Sequence, residues 1–232
     1  MKRALMFCFV TLTFISLSTY SQARKQRVRT AGDQIEFLLS KHKDAPYKEL
    51  GEIIDVDSSI GVPGIADGKI SDPYSTLKRC YLFMATTEGV QGENRKHSIG
   101  IYRDGKILWM SEQLPGSENY GYMSDEGFLA VKDINHMGKV DIIVFFSDGT
   151  NPPSGYFLWI FSWDGKQGKC INECEKSGET SIASTGAFEV EDVDGDGIDE
   201  ILSYDTDLNV NAVYHWNGDL YTRRSKNYRP KR

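Results

Sequence analysis

The chain has 232 residues, with 27 Lys and Arg against 33 Asp and Glu, a formal net charge of −6, and 12% aromatic residues. That length suits one domain or a stack of repeats with a real core, and the aromatic content favours strand-rich packing over disorder. The acidic balance, with no recognition motif, speaks against nucleic-acid binding.

Residues 1–23 open with Lys2 and Arg3, followed by an apolar run from Ala4 to Leu17 and a polar stretch to Ala23. These are the three regions of a secretory signal peptide, and the apolar run is too short for a comfortable membrane span. The expected protein is exported, secreted or periplasmic, cleaved near Ala23, with no membrane span afterwards. Cys8 lies too early in the run to be a lipid-attachment cysteine.

Residues 24–49 combine a basic segment (Arg24, Lys25, Arg27, Arg29) with a predicted short helix over residues 30–43. Ile35, Leu38 and Leu39 fall on one helical face, and Asp33 is a candidate N-cap. Such a helix would cover a sheet face or edge.

From residue 50 to residue 222 the chain reads as three copies of one pattern, over residues 50–110, 127–170 and 186–222. Gly127 to Asn135 aligns with Gly186 to Asp194 at an offset of 59, which places Gly138 on Gly197 and Asp141 on Glu200. Trp163-Asp164-Gly165 and Trp216-Asn217-Gly218 supply hairpin turns of the Asp-Gly and Asn-Gly type. The first copy is more divergent. It has a strand over residues 51–57, another over 78–84 and the Asp104-Gly105 hairpin, with a long loop, residues 58–76, in between. Each copy therefore reads as strand, loop, strand and hairpin, a four-stranded antiparallel blade.

The third copy carries the densest chemistry. Asp192, Asp194, Asp196 and Glu200 occupy positions 1, 3, 5 and 9 of a tight loop, with Gly197 at position 6 and the Ile198 carbonyl at position 7. Alternate carboxylates pointing inward, with a glycine for the sharp turn, are what Ca2+ coordination needs. An Asx-rich turn without an ion uses the same residue types in smaller number. An EF-hand is excluded, because position 12 is Ser203 and the flanking runs alternate as strands. In the second copy Asp133, Asn135 and Asp141 persist but Met137 replaces the position-5 carboxylate. Methionine is a poor ligand for a hard cation, so this loop is a weak or degenerate metal loop. In the first copy Asp55 and Asp57 lack the glycine spacing, and no metal is assigned to them.

On the strand–loop–strand unit around residues 192–200, the sequence resembles the FG-GAP or VCBS repeat, the calcium-loop blade of integrin-like β-propellers. The resemblance implies a mainly β fold of three antiparallel four-stranded blades with Ca2+ held in the loop. Closed propellers use at least four blades, so the expectation is a partial or unclosed propeller.

Away from the repeats the chemistry is sparse. The acidic body, residues 30–222, holds 15 Lys and Arg against 33 Asp and Glu, while the tail, residues 223–232, carries six basic residues. The basic ends are solvated tails or contacts for anionic polymers. Cys80, Cys170 and Cys174 remain after cleavage. Cys170 and Cys174 flank a short turn and either pair or stay free. The four histidines (His42, His97, His136, His215) are scattered and give no zinc pattern. Trp109, Trp159, Trp163 and Trp216 fit blade packing better than sugar stacking.

No nucleophile elbow, zinc-protease motif or phosphate loop is present. The expected function is a non-catalytic, calcium-stabilised binding or interaction module whose partner is a protein or a glycan. It would meet that partner at a blade surface or the loop 58–76. The alternatives are an enzyme acting on a cell-envelope or extracellular polymer and a structural subunit that self-associates through open sheet edges.

Overall fold

In the computed structural model the described residues are 30–41, 47–57, 72–87, 97–112, 114, 126–147, 155–172 and 182–224. Apart from Thr30 they all belong to one compact unit, Ala31–Arg232. The signal peptide, the basic segment 24–29, most of the loop 58–76, Cys174 and the tail beyond Arg224 lie outside the described residues.

Helix α1 (Ala31–Leu39) is followed by the strands of the first sheet: β1 (Tyr47–Asp55), β2 (Tyr81–Thr87), β3 (His97–Arg103) and β4 (Lys106–Met110). A 3₁₀ turn, Asp72–Leu77, closes the connection into β2. The second sheet contains β5 (Glu126–Lys132), β6 (Val140–Ser147), β7 (Tyr156–Trp163), β8 (Gly168–Cys170) and β9 (Ile182–Ser184). The third contains β10 (Phe188–Glu191), β11 (Glu200–Tyr204), β12 (Val210–Trp216) and β13 (Tyr221–Arg223). Within each sheet the strands run in chain order and pair antiparallel, as successive hairpins dictate. The three blade-like repeats are thus present, with two adjustments. The first sheet begins at Tyr47, and β9, which lies between the second and third repeats, pairs with β7 of the second sheet.

The apolar pattern explains how the sheets stack. On β7, Phe157, Trp159, Phe161 and Trp163 join the cluster shared with the first sheet, among Leu82, Met84, Ile99 and Ile101. Leu158 and Ile160 on its other face join Phe188, Ile201, Ala212 and Tyr214 of the third sheet. A strand covered on both faces needs an unbroken apolar run, and β6 (VDIIVFFS) and β7 (YFLWIFSW) have one. The second sheet is therefore the middle layer. Among the described residues no apolar cluster joins the first sheet to the third, which fits an open stack and not a closed ring.

The remaining face of the first sheet is covered by α1. Ile35 and Leu39 are buried against Phe83, Ala85 and Tyr102, while Phe37 on the opposite side of the helix is exposed. Asp33 stands in the first turn of this helix, which starts at Ala31, and so is not its N-cap. There its carboxylate faces the positive end of the helix dipole. Tyr102 adds a polar tie by donating its hydroxyl to Gln34 Oε1 at 2.6 Å.

Candidate metal centre

The link between β10 and β11 is built by its own carboxylates. Asp192 accepts backbone N–H groups from both glycines of the loop, Gly195 at 2.7 Å and Gly197 at 3.0 Å. Both glycines have positive φ, +76° and +92°, a region costly for a residue with a Cβ. Glu200, at the start of β11, is nearly fully buried and accepts the Val193 N–H at 3.0 Å. These bonds turn Asp192 and Glu200 inward, and Asp194 joins them: ligand oxygens of Asp192, Asp194 and Glu200 lie within 4.8 Å of one another. Three carboxylates at that spacing make an oxygen-donor set for a metal ion.

The other two residues assigned to this site behave differently. Asp196 is exposed and outside the convergent set, and its Oδ1 accepts the Ile198 N–H at 2.8 Å. Ile198 is half-buried within the same turn. The neighbouring Asp199 is taken up elsewhere, by Lys132 of the second sheet at 2.8 Å.

A residue that sequence reasoning had placed in a solvated tail completes the centre. Arg224 follows β13, and its Nη2 lies 2.9 Å from Asp194 Oδ2 and 3.3 Å from Glu200 Oε1. The guanidinium is largely buried, with 20% of the side chain exposed. Repulsion among these carboxylates is therefore partly relieved from within the chain. One guanidinium among the four carboxylates of Asp192, Asp194, Asp196 and Glu200 still leaves an excess of negative charge. Burial, the largest influence, pushes the Glu200 carboxyl above its ordinary range. The Val193 N–H and the Arg224 charge oppose that shift, and Asp194 adds to it.

The second loop repeats this backbone design almost bond for bond. Gly138 N–H donates to Asp133 Oδ2 at 2.9 Å, as Gly197 does to Asp192. Ile134 N–H donates to Asp141 Oδ2 at 3.2 Å, as Val193 does to Glu200. The side chains then diverge. Met137 is 59% exposed, and Asn135 Oδ1 accepts the Met137 N–H. Asp141 is fully buried on the β6 face turned towards the third sheet, and its Oδ1 has no hydrogen-bond partner. Where the third repeat places Arg224, the second has Ile171: Arg224 N–H donates to Val213 O and Ile171 N–H to the matching Ile160 O. No guanidinium can then reach Asp141 from that position. In the first repeat the carboxylates also serve the backbone, with Asp55 accepting from the Asp57 N–H and Asp57 from the Arg79 N–H.

The loops of the second and third repeats touch. Asp199 N–H donates to Ile134 O at 2.9 Å, and the buried Tyr221 hydroxyl donates to Asp199 O at 3.1 Å. Tyr221 N–H also donates to Ile171 O at 2.7 Å, beside a parallel bridge between Asn172 and Tyr221. The third loop is thus tied to the second by a backbone hydrogen bond, and β13 to the residue that follows β8 by another.

An open cavity of about 410 Å³ lies between the second loop and the hairpins of the second and third sheets, lined in part by Asn135, Met137, Gln167 and Trp216. Its two carboxylates are already engaged. Asp164 accepts two N–H groups of its own turn, and Asp219 pairs with Lys169 at 2.9 Å. Trp159 and Trp163 are buried in the core, half-buried Trp109 packs edge-on against Phe161, and Trp216 is half-buried at the cavity. The Cys170 sulfur lies 3.1 Å from Asn172 Oδ1. No helix among the described residues is long and apolar enough to cross a membrane. No family model, curated protein or solved structure matches the chain.

Proposed function

We propose that this protein is an exported interaction module built from three FG-GAP/VCBS-like blades, with Ca2+ stabilising the third. The observation that carries the reading is the convergence of Asp192, Asp194 and Glu200 on one point, held there by backbone N–H groups of their own loop. Carboxylate oxygens are hard donors, which favours Ca2+ over softer-ligand metals. An ion bound there joins the end of β10, the loop and the start of β11. It stabilises only the folded loop, so its binding energy adds to folding stability by linkage. The matching hydrogen bonds in the second loop support a common repeat origin, with calcium capacity reduced there by Met137.

In this reading recognition is separate from the ion, and a protein or glycan partner is met at a blade surface. The engaged state of Asp164 and Asp219 favours binding over catalysis at the open cavity. Calorimetric titration of the purified chain with Ca2+, repeated with Mg2+, tests the calcium assignment. One Ca2+ per chain with weaker Mg2+ binding is expected, at a Kd of about 10⁻⁴–10⁻³ M typical of extracellular modules. Absence of Ca2+ binding at millimolar concentration overturns the reading.

A further inference from the structure

We propose that Arg224 is the built-in counter-ion of the third loop, and that it sets the loop's affinity for a divalent cation by competing for Asp194 and Glu200. This rests on the cation reading above and adds its regulation.

Arg224 holds one oxygen from each of two carboxylates in the convergent set, at 2.9 and 3.3 Å. An incoming ion draws on those same two carboxylates. A divalent ion and a guanidinium at the same carboxylates repel each other, so ion entry requires Arg224 to turn away. Its backbone does not have to move, because Arg224 N–H stays paired with Val213 O at the end of the sheet. The exchange is therefore confined to one long side chain, 20% exposed, that can reach solvent.

The second repeat provides an internal comparison. The same backbone position there is Ile171, buried in the apolar cluster between the second and third sheets, and no cation is supplied from it. Nothing in the blade architecture demands a charge at this site. The third repeat carries one where its own carboxylates converge. Without an ion, Arg224 offsets their repulsion and keeps β10, β11 and β13 tied together. With an ion, that role passes to the metal. The loop would then remain ordered in both states, and the affinity would be lower than the bare carboxylates would give.

The test is a Ca2+ titration by calorimetry of the purified chain as wild type, R224Q and R224K, with melting curves in chelator. R224Q is expected to bind Ca2+ roughly three- to tenfold more tightly, the range for loss of a competing, partly exposed ion pair. It should also melt lower than wild type in chelator. R224K keeps the charge and should lie nearer to wild type in both measurements. If wild type binds Ca2+ and R224Q binds it equally or more weakly, the inference falls and the cation reading stands. If neither binds, both fall. If only R224Q binds, the competition holds and the calcium reading of the natural chain fails. Should R224Q not fold, the Nε–H resonance of Arg224 in the wild-type chain decides. A shift on Ca2+ addition supports displacement, and an unchanged resonance under saturating Ca2+ overturns it.

Discussion

Asp141 makes the stability of this protein depend on pH in a direction opposite to that of a salt-bridged carboxylate. It sits between the second and third sheets with no solvent exposure, its Oδ1 has no partner, and its Oδ2 accepts one long bond from Ile134 N–H. Burial pushes its carboxyl from 3.8 up to about 7, against the opposing pull of Ser162 and the Ile134 N–H. The folded state therefore holds this proton more tightly than the unfolded chain does. Below the unfolded value the group costs nothing. As pH rises from about 4 to about 7 the folded state loses stability, because the unfolded chain releases this proton while the folded state still holds it. That difference corresponds to about 4 kcal/mol. Asp141→Asn keeps an oxygen for Ile134 and removes the ionisation. Urea unfolding of both chains in chelator, between pH 4 and pH 8, should show the variant gaining on the wild type by a few kcal/mol towards pH 8. An identical pH slope in the two chains would show that Asp141 ionises alike in the folded and unfolded states.

Three further expectations concern packing. A Cβ at Gly100 would lie 2.2 Å from Phe83 Cζ, and Phe83 is itself fully buried under α1, so Gly100→Ala should cost about 1–3 kcal/mol by chemical denaturation. Trp159→Ala empties the largest part of the layer between the first and second sheets, where Trp159 also meets Phe146 edge-on at 5.4 Å. It should cost about 3–5 kcal/mol and lower the thermal midpoint in Ca2+ and chelator alike. Lys169→Ala breaks the ion pair to Asp219, but both side chains are more than two-thirds exposed, so the change in unfolding free energy should stay below about 1 kcal/mol.

Much of this architecture is written locally in the chain. The 59-residue offset between the second and third repeats marks matching hydrogen bonds as well as matching letters, because a glycine at position 6 and a carboxylate at position 1 make the same turn twice. The continuous apolar runs of β6 and β7 announce a sheet covered on both faces. What the letters hide depends on strand register. Arg224 lies 24 residues beyond Glu200 in a run of basic residues that reads as tail, and only the pairing of β12 with β13 brings it back over the loop. Its equivalence to Ile171 is equally invisible, since one residue is charged and the other apolar. Asp141 sits in an apolar strand, and its alternation could place it on either face. Asp196 has the right spacing for a ligand, yet its side chain is exposed and lies outside the convergent set. Strand β9, three residues long, gives too short a pattern to reveal that it pairs with the preceding sheet.

The proposed role of the third loop requires its carboxylates to hold an ion that stabilises the fold. The most direct measurement is the melting temperature of wild type and Asp194→Ala, each in saturating Ca2+ and in chelator. Asp194 belongs to the convergent set and also receives Arg224, so its loss removes an ion ligand and an internal ion pair together. Ca2+ should raise the midpoint of the wild type and have little effect on the variant. The gap between the two chains should therefore be much wider in Ca2+ than in chelator. A gap of the same size in both conditions would contradict that role.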